Sequence, residues 1–163
     1  MITLDLADLD ATARLAAALA PHLAAGDVVA LEGALGAGKT EFARALIRAR
    51  LGDPTVDVPS PTFTLVQLYD DPSGVTLWHF DLYRLKDSDE VLELGWDDSR
   101  DAVSLVEWPD RLGDLAPRDR LVVTLAAGAA GNARRASLIG HGDWTRRLAD
   151  LRSLLAPASL AAK

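Results

Sequence analysis

Two periods of apolar and polar positions run along this chain. Residues 2–6 alternate and predict a short strand. Leu15, Ala16, Leu19 and Leu23 recur at helical spacing behind Asp10, which predicts a helix capped by that aspartate and kinked or ended by Pro21. Val28-Val29-Ala30-Leu31 is an unbroken apolar run, the pattern of a strand buried on both faces. A glycine-rich loop follows, then a helix from about Thr40 to Leu51, closed by Gly52 and Pro54. Phe63 to Tyr69 and Val75 to Phe80 are β-capable and are joined by the turn sequence Asp71-Pro72-Ser73-Gly74, which predicts a hairpin. Ser88 is placed to cap a helix carrying Val91, Leu92 and Leu94. Val103 to Val106 predicts a strand ending on Glu107, and Leu121 to Leu125 and Ala136 to Ile139 predict two more. Asp143 is placed to cap a C-terminal helix. This order predicts an α/β fold, a mixed and mainly parallel sheet flanked by helices, in a single domain over residues 1–163.

Composition narrows the function classes. With no cysteine, disulfide scaffolds, zinc ribbons and thiol nucleophiles are excluded. The start, Met1-Ile2-Thr3-Leu4-Asp5, has no basic and then apolar leader, and no apolar run reaches the length of a membrane span. A cytoplasmic protein with no membrane partner is expected. The net charge of -7 is unevenly placed: residues 1–52 carry -1, residues 53–110 carry -11, and residues 111–163 carry +5. The acidic middle third would repel a phosphate backbone, so independent binding of DNA or RNA is not expected.

The strongest chemical signal is Gly33-Ala34-Leu35-Gly36-Ala37-Gly38-Lys39-Thr40, which fits the phosphate-binding loop pattern at every fixed position. Its context, a buried strand before and a helix after, is that of the P-loop NTPase fold. The glycines let consecutive backbone N–H groups curl toward phosphate oxygens. The helix start aims its positive dipole end at the same place. Lys39 supplies charge for the β- and γ-phosphates, and the Thr40 hydroxyl suits Mg²⁺, which takes few protein ligands. This motif places a nucleoside triphosphate without choosing between ATP and GTP.

A metal-dependent site needs a further acid at a neighbouring strand end. Glu107 and Asp81 both end predicted strands, and either is suited to hold the ion or to orient the attacking water. A Ser60, His79, Asp81 triad lacks a matching oxyanion hole and is set aside. His22 and His141 are lone histidines. Trp78, Trp96 and Trp144 read as packing residues, whereas Trp108 directly follows Glu107 and is placed to cover the site or meet a partner.

Three later segments acquire meaning once the loop is placed. Ser60-Pro61-Thr62-Phe63-Thr64-Leu65-Val66, His79-Phe80-Asp81-Leu82-Tyr83-Arg84 and Val106-Glu107-Trp108-Pro109 stand in order behind it. Together the four motifs resemble the TsaE family (also called YjeE), small bacterial P-loop ATPases, over residues 9–125. The resemblance implies ATP and Mg²⁺ as cofactors, with ADP as product. It implies TsaB and TsaD proteins as partners, in the installation of threonylcarbamoyl on adenosine 37 of tRNA. TsaE itself would hydrolyse ATP to reset the TsaB–TsaD pair between turnovers, touching tRNA only through that complex. On the matching positions, Gly33, Leu35, Gly36, Ala37, Gly38, Lys39, Thr40 and Glu41 would hold the phosphates. Thr40 and Glu107 would ligate Mg²⁺, Asp81 would act near the γ-phosphate, and Trp108 would lie at the edge. Ser60, Thr62 and Thr64 would form a switch segment that senses the nucleotide.

The chain departs from the family at Glu41, where a second hydroxyl residue is usual; its carboxylate is expected to turn outward. Arg134 and Arg135 follow Gly131 where the family tends to have one arginine, and neither is assigned a role. No arginine finger is evident in the site; Arg84 is the nearest candidate, and a structural strand-end role is the stronger reading for it. A P-loop small-molecule kinase is the alternative, although the middle third lacks the arginine-rich lid of such kinases. A GTPase is disfavoured because the guanine-reading motif is absent: the sole asparagine, Asn132, precedes Ala133.

Overall fold

The computed structural model describes residues 1–161. Seven strands form one sheet in the order β1-β7-β6-β2-β5-β4-β3. They are β1 (Ile2–Leu6), β2 (Val28–Glu32), β3 (Val66–Asp70), β4 (Thr76–Asp81), β5 (Val103–Glu107), β6 (Arg120–Ala127) and β7 (Arg134–His141). β6, β2, β5 and β4 are mutually parallel, while β3 and β7 run against their neighbours and β1 runs against β7. Five of the seven strands therefore point one way, giving the expected mixed, mainly parallel sheet. The helices are α1 (Leu9–Leu19), α2 (Lys39–Leu51), α3 (Ser88–Glu93), α4 (Trp144–Asp150) and α5 (Pro157–Ala161).

Two apolar layers follow from the strand pleat. On one face Leu77, Val103, Leu105, Val29 and Leu31 pack with Leu15 and Leu19 of α1, Phe42, Leu46 and Ile47 of α2, and Trp144 and Leu148 of α4. On the other face Phe80, Val106 and Val28 pack with Val91 of α3 and with Trp96 and Leu112 from two 3₁₀ segments. The central strand β2 carries apolar side chains on both faces, as its unbroken run requires.

Helix starts differ from expectation by one or two residues. The α1 cap is Asp8, not Asp10: Asp8 is extended (φ -158) and its carboxylate accepts the Ala11 N–H at 2.8 Å. The α helix stops at Leu19, and Pro21 lies in a 3₁₀ turn, so Leu23 falls beyond it. The α3 cap is Asp87 rather than Ser88, because Asp87 is still extended (φ -149) and accepts from Glu90 N–H. Asp143 does precede α4, but it is already helical (φ -58) and its side chain bonds no helix N–H. The hairpin β3–β4 forms as expected, although β3 begins only at Val66. Phe63, Thr64 and Leu65 belong to a turn, closed by the Leu65 N–H donating to the Pro61 carbonyl at 2.7 Å.

Candidate active site

The C-terminal ends of β2, β5 and β4 open on one rim of the sheet, the place where open α/β sheets bind ligands. β2 runs out at Glu32, and the loop Gly33–Gly38 turns the chain into α2. Gly33 has φ +148, and a Cβ there would lie 2.5 Å from the Leu125 carbonyl oxygen of β6. Only glycine permits that approach. Gly38 starts α2 without any side-chain cap, so the first-turn N–H groups have no helical partner. They border a cavity of about 380 Å³, a size suited to a small-molecule ligand.

Most of the expected site residues line this cavity: Leu35, Gly36, Gly38, Lys39, Thr40, Glu41, Thr62, Asp81, Glu107 and Trp108. Gly33 and Ala37 shape the loop from behind. The Lys39 ammonium, almost fully buried, is held by its own loop: it donates to the carbonyls of Gly33 (2.6 Å) and Ala34 (2.8 Å) and lies 4.2 Å from the Trp108 ring centre. Burial lowers its pKa below the usual lysine range, opposed by the charges of Glu107 and Asp81.

The two candidate acids are neighbours. β4 and β5 are in parallel register with Asp81 opposite Glu107, and both side chains leave the same face. Glu107 accepts the Thr40 hydroxyl at 2.8 and 3.0 Å through its two oxygens. Asp81 accepts the Tyr83 N–H at 3.0 Å and the Thr62 hydroxyl at 3.3 Å. Ser60 Oγ is 2.7 Å from Thr62 Oγ1, so a hydroxyl chain joins the 60–62 segment to Asp81. Thr64 is not brought in; it is exposed and accepts from Gln67 at 3.0 Å. Among the described residues, the two non-glycine residues with left-handed backbone are Leu65 (φ 70) and Trp108 (φ 60). One closes the 60–65 turn and the other follows Glu107, so about 1–2 kcal/mol of strain per residue flanks the site.

Glu41 sits at the cavity rim and is half-exposed, with its carboxylate turned to Arg44 one turn along α2. Arg84 does not line the cavity; its guanidinium lies 4.4 Å from the ring centre of Phe63, which is itself exposed. The arginine at the site is Arg134, the first residue of β7. It donates to the Ala37 carbonyl at 2.7 Å and to the Gly36 carbonyl at 3.4 Å, bracing the outer side of the loop. Arg135 pairs instead with Asp5 at the surface. Sequence reasoning gave no site role to Leu9 and Asn132, which line the cavity, and considered His79, which bonds Glu107, only in a triad that was set aside. His79 was legible as the residue two before Asp81 on one strand, hence on the same face.

The donor set fits Mg²⁺. Thr40, Glu107 and Asp81 offer hard oxygens only. Among the described residues no group of three or more His, Asp and Glu side chains forms an all-protein metal cage. An ion here would be shared with phosphates and water, as Mg²⁺ sites commonly are. Among the described residues no helix is long and apolar enough to cross a membrane.

Known proteins supply the family. The model of the family described as "Threonylcarbamoyl adenosine biosynthesis protein TsaE" matches residues 6–136. A tRNA threonylcarbamoyladenosine biosynthesis protein TsaE from Rickettsia conorii is 40% identical over 129 residues, covering 78% of this chain and 72% of that protein. The protein of the same name from Bacillus subtilis is 40% identical over 115 residues, covering 71% and 69%. The crystal structure of Bacillus subtilis YdiB superposes with a TM-score of 0.72 at 28% identity, over 93% of each chain. This chain belongs to the TsaE family of tRNA threonylcarbamoyladenosine biosynthesis.

Proposed function

We propose that this protein binds Mg²⁺ and ATP in the P-loop cavity, hydrolyses ATP slowly when alone, and uses that cycle to reset a TsaB–TsaD complex between turnovers. Its place of action is the cytoplasm, and tRNA is reached only through the complex. The observation that carries this reading is the contact of Thr40 with Glu107 at the mouth of the loop, with Asp81 alongside in register. Those groups are the ones phosphoryl transfer to water asks for: a phosphate cradle, a metal hydroxyl ligand, and two acids at adjacent strand ends.

Each side chain has a task derived from its position. Lys39 must exchange the carbonyls of Gly33 and Ala34 for phosphate oxygens, a move its flexible stem permits. Thr40 and Glu107 would hold the ion, which when bound neutralises charge on the transferred phosphoryl group. Asp81 is left to orient water, and its bond to Thr62 couples that acid to the 60–62 segment. Loss of this bond on a change of nucleotide state is the signal a partner would read. The acidic middle third agrees with tRNA contact being made by partners.

The test is turnover and binding by the isolated protein. Slow release of phosphate from ATP, dependent on Mg²⁺, is expected. Lys39→Ala should lose ATP binding while its thermal midpoint stays near that of wild type. Brisk phosphate transfer to a small metabolite would favour the kinase alternative and contradict the proposal.

A further inference from the structure

The buried surroundings of Glu107 hold a histidine that no task above uses. His79 lies in the middle of β4, directly across from Leu105 of β5, and is fully buried. Its face of the sheet is otherwise apolar at this depth, with Leu77 two residues before it and Leu105 beside it, both fully buried. Its Nε2 lies 2.8 Å from Oε2 of Glu107. With the carboxylate oxygen as acceptor, Nε2 carries the hydrogen and donates. Nδ1 is buried with no hydrogen-bond partner.

An imidazole with one idle nitrogen is a poor way to fill an apolar layer. A leucine would pack there without a buried polar atom, and a buried unpartnered group destabilises. The contact with Glu107 therefore accounts for the residue. Thr40 binds both oxygens of that carboxylate from the cavity side, and His79 binds one from inside the sheet. Without His79 the carboxylate is fixed only by a hydroxyl that the metal itself would engage.

We propose that His79 is a positioning residue, which holds the Glu107 carboxylate from behind so that its orientation for the metal ion is set before the ion arrives. This assignment rests on the nucleotide-and-metal reading above. Partners that orient a metal-ligating group are typically worth 10–100-fold in metal affinity.

Mn²⁺ affinity of the ADP-bound protein, read by electron paramagnetic resonance, tests the assignment beside calorimetric ADP affinity without metal. His79→Leu should weaken Mn²⁺ binding by about 10–100-fold while metal-free ADP affinity stays within about twofold of wild type. His79→Gln, whose amide N–H can still reach Glu107, should recover most of the loss. Wild-type Mn²⁺ affinity in His79→Leu, with wild type itself binding Mn²⁺ and ADP, would overturn this assignment alone. Failure of wild type to bind Mn²⁺ with ADP would overturn the nucleotide reading and this assignment with it. If His79→Leu does not fold, His79→Asn replaces it, its shorter amide falling short of Glu107. Weaker Mn²⁺ binding than in His79→Gln at matched thermal midpoints supports the assignment, and equal binding overturns it.

Discussion

Gly33 gives the sharpest test of how the loop is built. A Cβ added there would stand 2.5 Å from the Leu125 carbonyl oxygen and 2.9 Å from Ala37 Cβ, at a backbone φ of +148. The first obstacle is backbone in the interior of the sheet, so it cannot rotate aside. Forcing the loop or β6 to move costs about 1–3 kcal/mol, and the backbone conformation costs a further ~1–3 kcal/mol for a residue with a Cβ. The sum for Gly33→Ala is about 4 kcal/mol. In a chain of this length that corresponds to roughly 8–16 °C in the thermal midpoint. Gly36→Ala is the control. Gly36 has φ +79 but nothing within 4 Å of an added Cβ, so only backbone strain of about 1–2 kcal/mol applies. Its midpoint should fall by roughly 2–8 °C. The assay is thermal unfolding by circular dichroism, with calorimetric ADP binding on the folded variants. A Gly33→Ala midpoint within about 2 °C of wild type, or equal losses in the two variants, would refute the close approach of loop to β6 as the reason for glycine.

Other substitutions probe separate parts of the structure. Glu41 points to Arg44 rather than into the cradle, so Glu41→Thr should change ATP affinity by less than about tenfold, or ~1.4 kcal/mol; calorimetric titration decides it. Burial alone would raise the pKa of Asp71, but hydrogen bonds from Ser73, Val75 N–H and Arg50 and the Arg50 charge outweigh it and bring the carboxyl down to about 2 from 3.8. A lowered folded value means stability that is full above about pH 4 and lost as pH falls toward 2. Denaturant unfolding across that window should therefore show a slope that Asp71→Asn reduces. Arg147 makes two bonds to Asp27, at 2.6 and 2.7 Å, and tethers α4 to the segment before β2. Removing it leaves a largely buried carboxylate with the Ala24 N–H, at 2.7 Å, as its remaining partner, and Arg147→Ala should cost about 2–3 kcal/mol in denaturant unfolding.

What the sequence made legible, and what it hid, divides by range. The unit β2–loop–α2 was readable because every cue is local: an unbroken apolar run, three glycines, Lys-Thr at a helix start and Gly52 at its end. Helix caps slipped by one or two residues because Asp8 and Asp10 are equally good acceptors. The choice falls on the residue still extended as the chain leaves β1. Phe63 to Leu65 looked like strand by residue type, but the Pro61 carbonyl captures the Leu65 N–H, and a turn wins over side-chain preference. Asp81 and Glu107 were readable as strand ends, yet that they stand opposite each other depends on β4–β5 pairing. Arg134 was hidden for the same reason. It reaches the loop only because β7 lies beside β6 at the edge Gly33 also touches. Thr64 illustrates the converse, a residue inside a matching motif whose side chain faces Gln67 and not the site.

Under the proposed function, nucleotide state in this cavity governs association with the partner complex. Its most direct measurement is the affinity of this protein for a TsaB–TsaD complex in Mg²⁺ with ATP and with ADP, for wild type and Glu107→Ala. Wild type should bind differently in the two nucleotides, and Glu107→Ala should lose the difference. Equal binding by wild type in both nucleotides would contradict it.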